Sequence, residues 1–188
     1  MKYFSTMTFI LIVTLGTSIA GNSYSETAMN DTESSPTEQL YNSQTHPQEF
    51  CLAQNIYYES RTDNLAGQAA VADVVLNRVY DTRYPNTICE VVKQGPISKW
   101  WKEEKGKEVP VRNRCQFSWY CDGKPDDRPS GDKWRQAQEL AYKMLHQDYL
   151  RGISEGSTHY HATYVNPKWN RDMHLIGRIG LHIFYVSR

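Results

Sequence analysis

Apolar residues recur at helical spacing along much of the chain after residue 47. This pattern predicts helices over residues 48–60, 65–80 and 132–149, with a shorter helix over 87–93. The helix over 65–80 has a continuous apolar face, whose members are Leu65, Ala69, Ala72, Val75, Leu76 and Val79. Because its alanines allow another helix to approach closely, we expect these helices to form the core.

The pattern changes in the last part of the chain. Residues 158–163 alternate as a strand does, and two further strands are predicted over 173–179 and 181–186. Residues 95–114 form a polar, tryptophan-bearing excursion that is expected to be a long loop or a small hairpin, and an extended aromatic segment follows over 115–123. Helices first and strands later predict an α+β domain, with a small antiparallel sheet toward the C-terminus.

The N-terminal part of the chain lacks this patterning. Residues 1–20 combine Lys2, an apolar run over 9–15 and small residues at the end, which is the pattern of a cleaved signal peptide. The apolar run is too short for a good membrane span, and an uncleaved anchor is the alternative. Residues 21–47 are polar and are predicted to be a disordered linker, which leaves 48–188 as a single domain.

The charge distribution narrows the class of partner. The chain has 21 Lys and Arg and 21 Asp and Glu, but residues 21–50 hold acids and no Lys or Arg. The domain is therefore mildly basic, which suits an anionic polymer of the cell envelope. Because no basic stripe with interleaved aromatic residues is present, no nucleic acid is expected as a partner.

All four cysteines lie in the predicted domain. An even number of cysteines in an exported chain indicates two disulfides, for which three pairings are possible. We favour Cys115–Cys121, which closes a short loop, and Cys51–Cys89, which ties the first helix to a later one. A zinc site made of all four is the competing interpretation, but the usual C-x2-C pairs are missing.

Glu59 is the strongest candidate for chemistry. It stands at the end of the first predicted helix, after aromatic and apolar residues and before polar, turn-forming ones. A carboxyl group held against apolar rings in a cleft has a raised pKa and can stay protonated near neutral pH. Cleavage of a glycosidic bond requires such a general acid. A solvated surface charge at a helix end is the alternative, and Asp122 is the best candidate for a second acid.

Five further residues are candidates for substrate binding in the same cleft. Gln116 and Ser118 alternate in the aromatic segment and are expected to donate hydrogen bonds to a sugar, or else to have a structural role beside the disulfide. Tyr58 precedes Glu59 and is expected to line the cleft. Trp119 and Tyr160 are candidate platforms for stacking on sugar rings.

The pair His159 and His161 has two interpretations. An H-x-H pair places both rings on one face of a strand and is a common half of a metal site, which His174 or His182 would complete. No HExxH-like motif accompanies the pair, so we expect neither a metal nor another cofactor. We favour the interpretation in which both histidines donate hydrogen bonds to the substrate.

Four blocks of sequence resemble the SleB-type cell wall hydrolases, the family of the spore-cortex-lytic enzymes. Together, their order and spacing cover essentially all of residues 51–188. The blocks are CLAQNIYYESR over 51–61, GQAAVADVVLNRV over 67–79, CQFSWYCDG over 115–123, and THYHA over 158–162 with IGLHIFY over 179–185.

The resemblance implies a lysozyme-like or lytic-transglycosylase-like domain that acts on the glycan strands of peptidoglycan. The catalytic glutamate of the family falls on Glu59, and no metal is required. With one acid, the favoured route begins when Glu59 protonates the oxygen between N-acetylmuramic acid and N-acetylglucosamine. The Glu59 carboxylate then acts as the base and takes the proton of the C6 hydroxyl as that oxygen closes onto C1. The product has a 1,6-anhydromuramic end.

Several alternatives stay open from the sequence. Attack by water at the same site would make the protein a muramidase. A cell wall amidase or peptidase would use a Cys–His pair or a histidine-bound metal, and a non-catalytic glycan-binding module would leave Glu59 idle. In each case we expect an exported monomer in the periplasm or cell envelope, without a stable membrane span after signal cleavage.

Two departures from the family pattern stand out. The family often has Glu-Ala-Arg-Gly-Glu where this chain has Glu59-Ser-Arg-Thr-Asp63. The excursion over 95–114 looks longer than in the spore enzymes. Both differences bear on substrate length and loop contacts rather than on the class of reaction.

Overall fold

The computed structural model describes residues 41–126 and 129–187. The signal peptide predicted over 1–20 and most of the linker lie outside the described residues. No helix within the described ranges has the length and apolar character needed to cross a membrane.

All five α-helices precede the three strands along the described chain, as predicted. In chain order the helices are α1 (Pro47–Ser60), α2 (Leu65–Tyr80), α3 (Ile88–Val92), α4 (Lys99–Lys105) and α5 (Asp132–His146). The bounds of α2 are those that the apolar spacing predicts. Helix α5 ends before the predicted residue 149, and the left-handed backbone at Asp148 and Leu150 rules out a continuous helix there.

Local sequence explains where these helices start. Pro47 occupies the first turn of α1, where its missing N–H costs nothing. The Asn64 side chain accepts a hydrogen bond from the backbone N–H of Gly67 (2.9 Å) and caps α2. Thr87 caps α3 in the same way through the backbone N–H of Glu90.

The core is built around α1, which packs against α2, α3 and α5. Small and aliphatic side chains fill it, and they include Leu52, Ala53, Ile56, Ala69, Ala72, Val75, Val91, Ala137, Leu140, Ala141 and Met144. The disulfide Cys51–Cys89 joins α1 to α3, and Cys115–Cys121 closes a short loop. Both favoured pairings are therefore confirmed.

The sheet has three antiparallel strands in the order β1-β3-β2, where β1 is His159–Ala162, β2 is Met173–Ile179 and β3 is His182–Ser187. Tyr160 of β1 pairs with Phe184 of the central strand. Phe184 is fully buried and packs, in a second apolar cluster, with Ala70, Val71 and Val74 of α2. Helix α2 therefore has one face in the helical core and another against the sheet.

The excursion over 95–114 contains a short helix that its sequence does not predict. Helix α4 has no buried residue, so it lacks the apolar face by which helices are recognised. An isolated bridge between Ile97 and Pro110 closes the base of the excursion, which makes it a hairpin with a helical tip. Trp100 and Trp101 of α4 pack edge to face and are both exposed.

The prediction of an extended segment over 115–123 is wrong. Ser118–Cys121 forms a turn of 3-10 helix. The disulfide explains the difference, because it holds the Cα atoms of Cys115 and Cys121 6.0 Å apart. Six extended residues would span about 20 Å.

The predicted linker also needs a correction at its end. Tyr41 is buried, and the Gln138 side chain of α5 donates a hydrogen bond to its carbonyl oxygen (3.3 Å). The chain therefore packs on the domain from Tyr41 onward, before the start predicted at residue 48.

Candidate functional site

A cleft of about 420 Å³ lies where the end of α1 meets strand β1 and the 3-10 turn. Residues from the helices and from the sheet both line this cleft. Its lining residues are Glu59, Arg78, Gln116, Phe117, Ser118, His159, Tyr160, His161, Ala162, Tyr164, Val165, Pro167, Trp169 and His182.

Glu59 occupies the penultimate position of α1 and is half-buried in this cleft. Burial raises the pKa of its carboxyl group above the ordinary value, and a hydrogen bond from Tyr160 lowers that pKa to a smaller extent. The Tyr160 hydroxyl donates this bond to Oε2 over 3.2 Å. Glu59 can therefore hold its proton at a higher pH than a solvated glutamate does.

Tyr160 is held as a hydrogen-bond donor. Burial, with the charge of Glu59 next to it, raises the pKa of its phenol well above the usual value. The ring packs against Phe184 and His182 at centroid distances of 5.6 Å and 5.1 Å. This packing fixes the hydroxyl at the Glu59 carboxyl. Tyr160 therefore lies in the cleft as a partner of the acid, and its predicted role in stacking on a sugar ring stays a prediction.

Arg78, near the end of α2, is a cleft residue that was not among the candidates from the sequence. Its side chain is buried, and Nε donates a hydrogen bond to the Thr158 carbonyl oxygen (2.8 Å). The guanidinium lies over the rings of Tyr84 (5.2 Å) and Phe117 (5.5 Å). The sequence spacing could have indicated that Arg78 is buried, because it follows the buried residue Val74 by one helical turn of α2.

His182 and Asp63 form a second pair that the sequence did not single out. Asp63 lies in the turn between α1 and α2, and its Oδ2 is 3.3 Å from His182 Nδ1. The same oxygen accepts a hydrogen bond from the backbone N–H of Leu181 (2.9 Å), and Oδ1 accepts one from that of Asn64 (2.7 Å). Burial lowers the pKa of His182, while the Asp63 charge opposes that shift.

The two histidines of the H-x-H pair both line the cleft, but their ring nitrogens face protein atoms. His161 Nε2 lies 3.0 Å from the Tyr185 hydroxyl, and its Nδ1 lies 3.0 Å from the Ala162 carbonyl oxygen. His159 Nδ1 lies 3.0 Å from the Thr158 hydroxyl. In residues 41–126 and 129–187, no group of three or more His, Cys, Asp and Glu is arranged to hold a metal ion.

Trp169 is an aromatic cleft residue that was not among the candidates from the sequence. Its ring packs beside His159 and His161 at centroid distances of 5.6 Å and 5.7 Å. Gln116 and Ser118 line the same cleft and are exposed, just before and at the start of the 3-10 turn. The cleft therefore combines exposed polar groups with a half-buried indole.

Trp119 does not fulfil the expectation of a sugar-stacking platform. Its ring is buried in the helical core, where Nε1 donates a hydrogen bond to the Asn55 side-chain oxygen (3.2 Å). Tyr58 stacks on it at a centroid distance of 4.7 Å and is not among the cleft residues. The 3-10 turn directs Ser118 toward the cleft and Trp119 toward α1, which explains why Trp119 is buried. A role for Tyr58 in substrate binding stays a prediction.

Asp122 does not belong to the cleft either. Its carboxylate accepts a hydrogen bond from the backbone N–H of Lys124 (2.8 Å) and pairs with the Lys124 ammonium at 3.3 Å. These contacts lower its pKa, so it is an ordinary ionised surface acid. The expectation of Asp122 as the second acid is thus corrected.

The cysteines are excluded as nucleophiles by their pairing. All four are oxidised, and the described chain holds no free thiol. A thiolate is the reactive form of cysteine, so a Cys–His peptidase mechanism has no nucleophile here.

A model of the Cell Wall Hydrolase family matches residues 62–185, a span that starts shortly after Glu59. The catalytic domain of the germination-specific lytic transglycosylase SleB from Bacillus anthracis is a similar solved structure. It shares 24% identity, with 78% of this chain and 99% of that chain covered and a TM-score of 0.53, which shows a common fold. The catalytic domain of the Bacillus cereus SleB protein has 22% identity, coverage of 78% and 93%, and a TM-score of 0.45. No curated protein matches.

Proposed function

Since this chain belongs to the cell wall hydrolase family, we propose that it cleaves the glycan strand of peptidoglycan between N-acetylmuramic acid and N-acetylglucosamine. One observation carries the proposal: Glu59 is a half-buried carboxyl group in a cleft, and burial raises its pKa. A glycosidase needs a protonated acid beside the bond it breaks. We propose Glu59 for that role.

In the first step, the Glu59 carboxyl group gives its proton to the glycosidic oxygen. The bond from C1 of the muramic sugar to that oxygen breaks, and the glucosamine part leaves with a new hydroxyl. Positive charge develops on C1 and the ring oxygen. The Tyr160 hydroxyl, which donates to Glu59, stabilises the carboxylate that the proton leaves behind.

The second step closes the muramic sugar on itself. Two-carboxylate glycosidases hold their acids about 5–10 Å apart across the sugar, whereas Glu59 is the one carboxylate among the residues that line the described cleft. Attack by the C6 hydroxyl of the same sugar needs no second carboxylate. In the simplest form of this lytic-transglycosylase route, the Glu59 carboxylate takes the hydroxyl proton.

Other cleft residues are proposed to hold the sugar. Gln116 and Ser118 present exposed polar groups, suited to the N-acetyl group or the C6 hydroxyl. His159 and Trp169 line the same cleft, where the indole can stack on a sugar ring. No metal or other cofactor takes part in the proposed steps.

The protein is proposed to act as a monomer outside the cytoplasm. Its two disulfides fit an oxidising compartment. Cell wall glycan is found there as well, so the signal peptide predicted over 1–20 agrees with the substrate. We propose the periplasm or cell envelope as the site of action.

The test is mass spectrometry of the soluble products released from purified peptidoglycan. The unmodified protein and a control with Glu103→Gln, an exposed residue of α4, are expected to release 1,6-anhydromuramic ends. Glu59→Gln keeps the shape of the side chain, removes the acid and should release none. Reducing muramic ends would mean that water attacks, and cleaved stem peptides on intact glycan would contradict the proposal.

A further inference from the structure

We infer that His182, oriented by Asp63, is the base that takes the proton from the attacking hydroxyl group. This role rests on the proposed function, since it assigns the second of its two steps to a different residue. His182 lines the same cleft as Glu59.

The structure around Asp63 is built to hold its carboxylate in place. The side chain is almost completely buried and faces three donors, which are two backbone N–H groups and His182 Nδ1. A Cβ atom at Gly67 or at Gly180 would collide with the carboxylate. Gly180 also has a positive φ of 59° that favours glycine, but Gly67 lies in a helix, where glycine costs about 1 kcal/mol relative to alanine. A glycine at position 67 is thus explained by the need to leave space for the Asp63 carboxylate.

The contact with Asp63 selects one tautomer of His182. A carboxylate only accepts hydrogen bonds, so the proton of the neutral ring lies on Nδ1. The lone pair is then on Nε2, the nitrogen that a base uses. This is the arrangement by which an aspartate prepares a histidine for proton abstraction.

The acid and the proposed base are connected through Tyr160. The Tyr160 hydroxyl binds Glu59, and the edge of its ring packs on His182 at a centroid distance of 5.1 Å. Glu59 and His182 therefore contact the same tyrosine and line the same cleft. The Nε2 atom has no hydrogen-bond partner among the described residues, which leaves it available to the substrate.

The surroundings favour the protonation state that each role needs. The titratable groups that face His182 are Asp63 from the turn between the helices and His161 and Tyr160 from β1. Burial lowers the pKa of His182 and raises that of Glu59. A neutral base and a protonated acid can then be present at the same pH.

The atoms balance without any further reactant. Glu59 protonates the leaving oxygen and becomes a carboxylate. The C6 oxygen bonds to C1 while its proton moves to His182 Nε2, which gives the anhydro sugar and an imidazolium. The imidazolium then loses its proton to solvent, and Glu59 regains one, so the site returns to its starting state.

The decisive variant is His182→Asn. The asparagine amide can still donate to Asp63 from the position of Nδ1, but it offers no base at the position of Nε2. We expect the rate of anhydromuramic product formation to fall about 100-fold, which is the lower range for loss of a general base. The fall in rate at acidic pH, which protonation of His182 causes, should disappear as well. His174→Gln, at an exposed position of β2, is the control and should keep both the rate and the pH profile.

An unchanged rate and an unchanged acidic limb in His182→Asn would overturn the inference and leave Glu59 as both acid and base. Glu59→Gln separates the two proposals, because full activity in that variant would overturn the proposed function itself. Nitrogen-15 NMR of the unmodified protein gives a measurement that is independent of variant folding. We expect His182 as the Nδ1–H tautomer at neutral pH, and the Nε2–H tautomer would overturn its assignment as a base.

Discussion

Asp73 and Glu59, two acids on neighbouring helices, differ in how many hydrogen-bond donors surround them. Asp73 of α2 is fully buried and accepts hydrogen bonds from four donors, which are the Arg151 guanidinium, the backbone N–H groups of Gly152 and Ser154, and the Ser154 hydroxyl. Glu59 of α1 is half-buried, and the Tyr160 hydroxyl is the hydrogen-bond donor described for it.

We expect this difference to separate a structural acid, Asp73, from the proposed catalytic acid, Glu59. The Asp73 carboxylate, bonded to Arg151, Gly152 and Ser154, anchors the 150–157 loop to α2. A carboxyl group that loses water and gains one neutral donor keeps its proton more readily. The two acids therefore differ both in the extent of burial and in the number of donors.

The largest expected effect is on the activity of Glu59→Gln. Loss of the general acid should lower the rate of glycan cleavage about 1,000-fold, within the range for general acid catalysis. Stability should change little, because the amide fits the same space and still accepts from Tyr160. Product release and thermal unfolding measured on the same preparation provide the check. A large drop in melting temperature would show that Glu59 is structural, as Asp73 is.

Asp73→Ala is expected to do the reverse. Removing the acceptor leaves Arg151 and Ser154 without their partner in a buried place, which should cost about 3 kcal/mol of unfolding free energy. Urea denaturation followed by circular dichroism measures this loss. At urea concentrations below the unfolding transition, the folded Asp73→Ala protein should keep its activity. A loss of activity without a loss of stability would contradict the structural role of Asp73.

The fold was predictable where local sequence decides it. The spacing of apolar residues predicted α1 and α2 because each segment has a buried face and a local start signal, which is Pro47 in α1 and the Asn64 cap before α2. The family, the α+β class and both disulfide pairings are confirmed. Helix α4 was missed because it is short and buries nothing.

The site was less predictable, because its residues meet only in the folded chain. His182 and Asp63 are far apart in sequence, and nothing local marks either as a partner of the other. The Ser118–Cys121 turn depends on a disulfide, and it is this turn that removes Trp119 from the cleft. Catalysis by Glu59 stays a prediction that the structure supports through burial.

A third prediction concerns Trp119, which the sequence suggested as a sugar-stacking residue but which is buried beside Tyr58. Trp119→Phe removes the hydrogen bond to Asn55 and part of the stacking on Tyr58. We expect a loss of about 2 kcal/mol in unfolding free energy, from the missing ring volume and the unpaired amide oxygen. The KM for soluble glycan fragments should be unchanged. A raised KM at unchanged stability would return Trp119 to the substrate site.

The smallest expected effect sharpens the role of the single donor to Glu59. The hydrogen bond from Tyr160 lowers the Glu59 pKa, so Tyr160→Phe should raise that pKa further. If Glu59 must start protonated, activity falls as the pH rises through its pKa, and in Tyr160→Phe this fall should move to higher pH. The ring contacts with Phe184 and His182 persist in the variant, so the fold is retained. Initial rates of product release across the pH range, with Tyr80→Phe at an exposed position outside the cleft for comparison, measure the shift. If activity in Tyr160→Phe instead falls at a lower pH than in the unmodified protein, the Tyr160 hydroxyl stabilises the protonated form of Glu59. The difference between Glu59 and Asp73 could then not be explained by their hydrogen-bond donors.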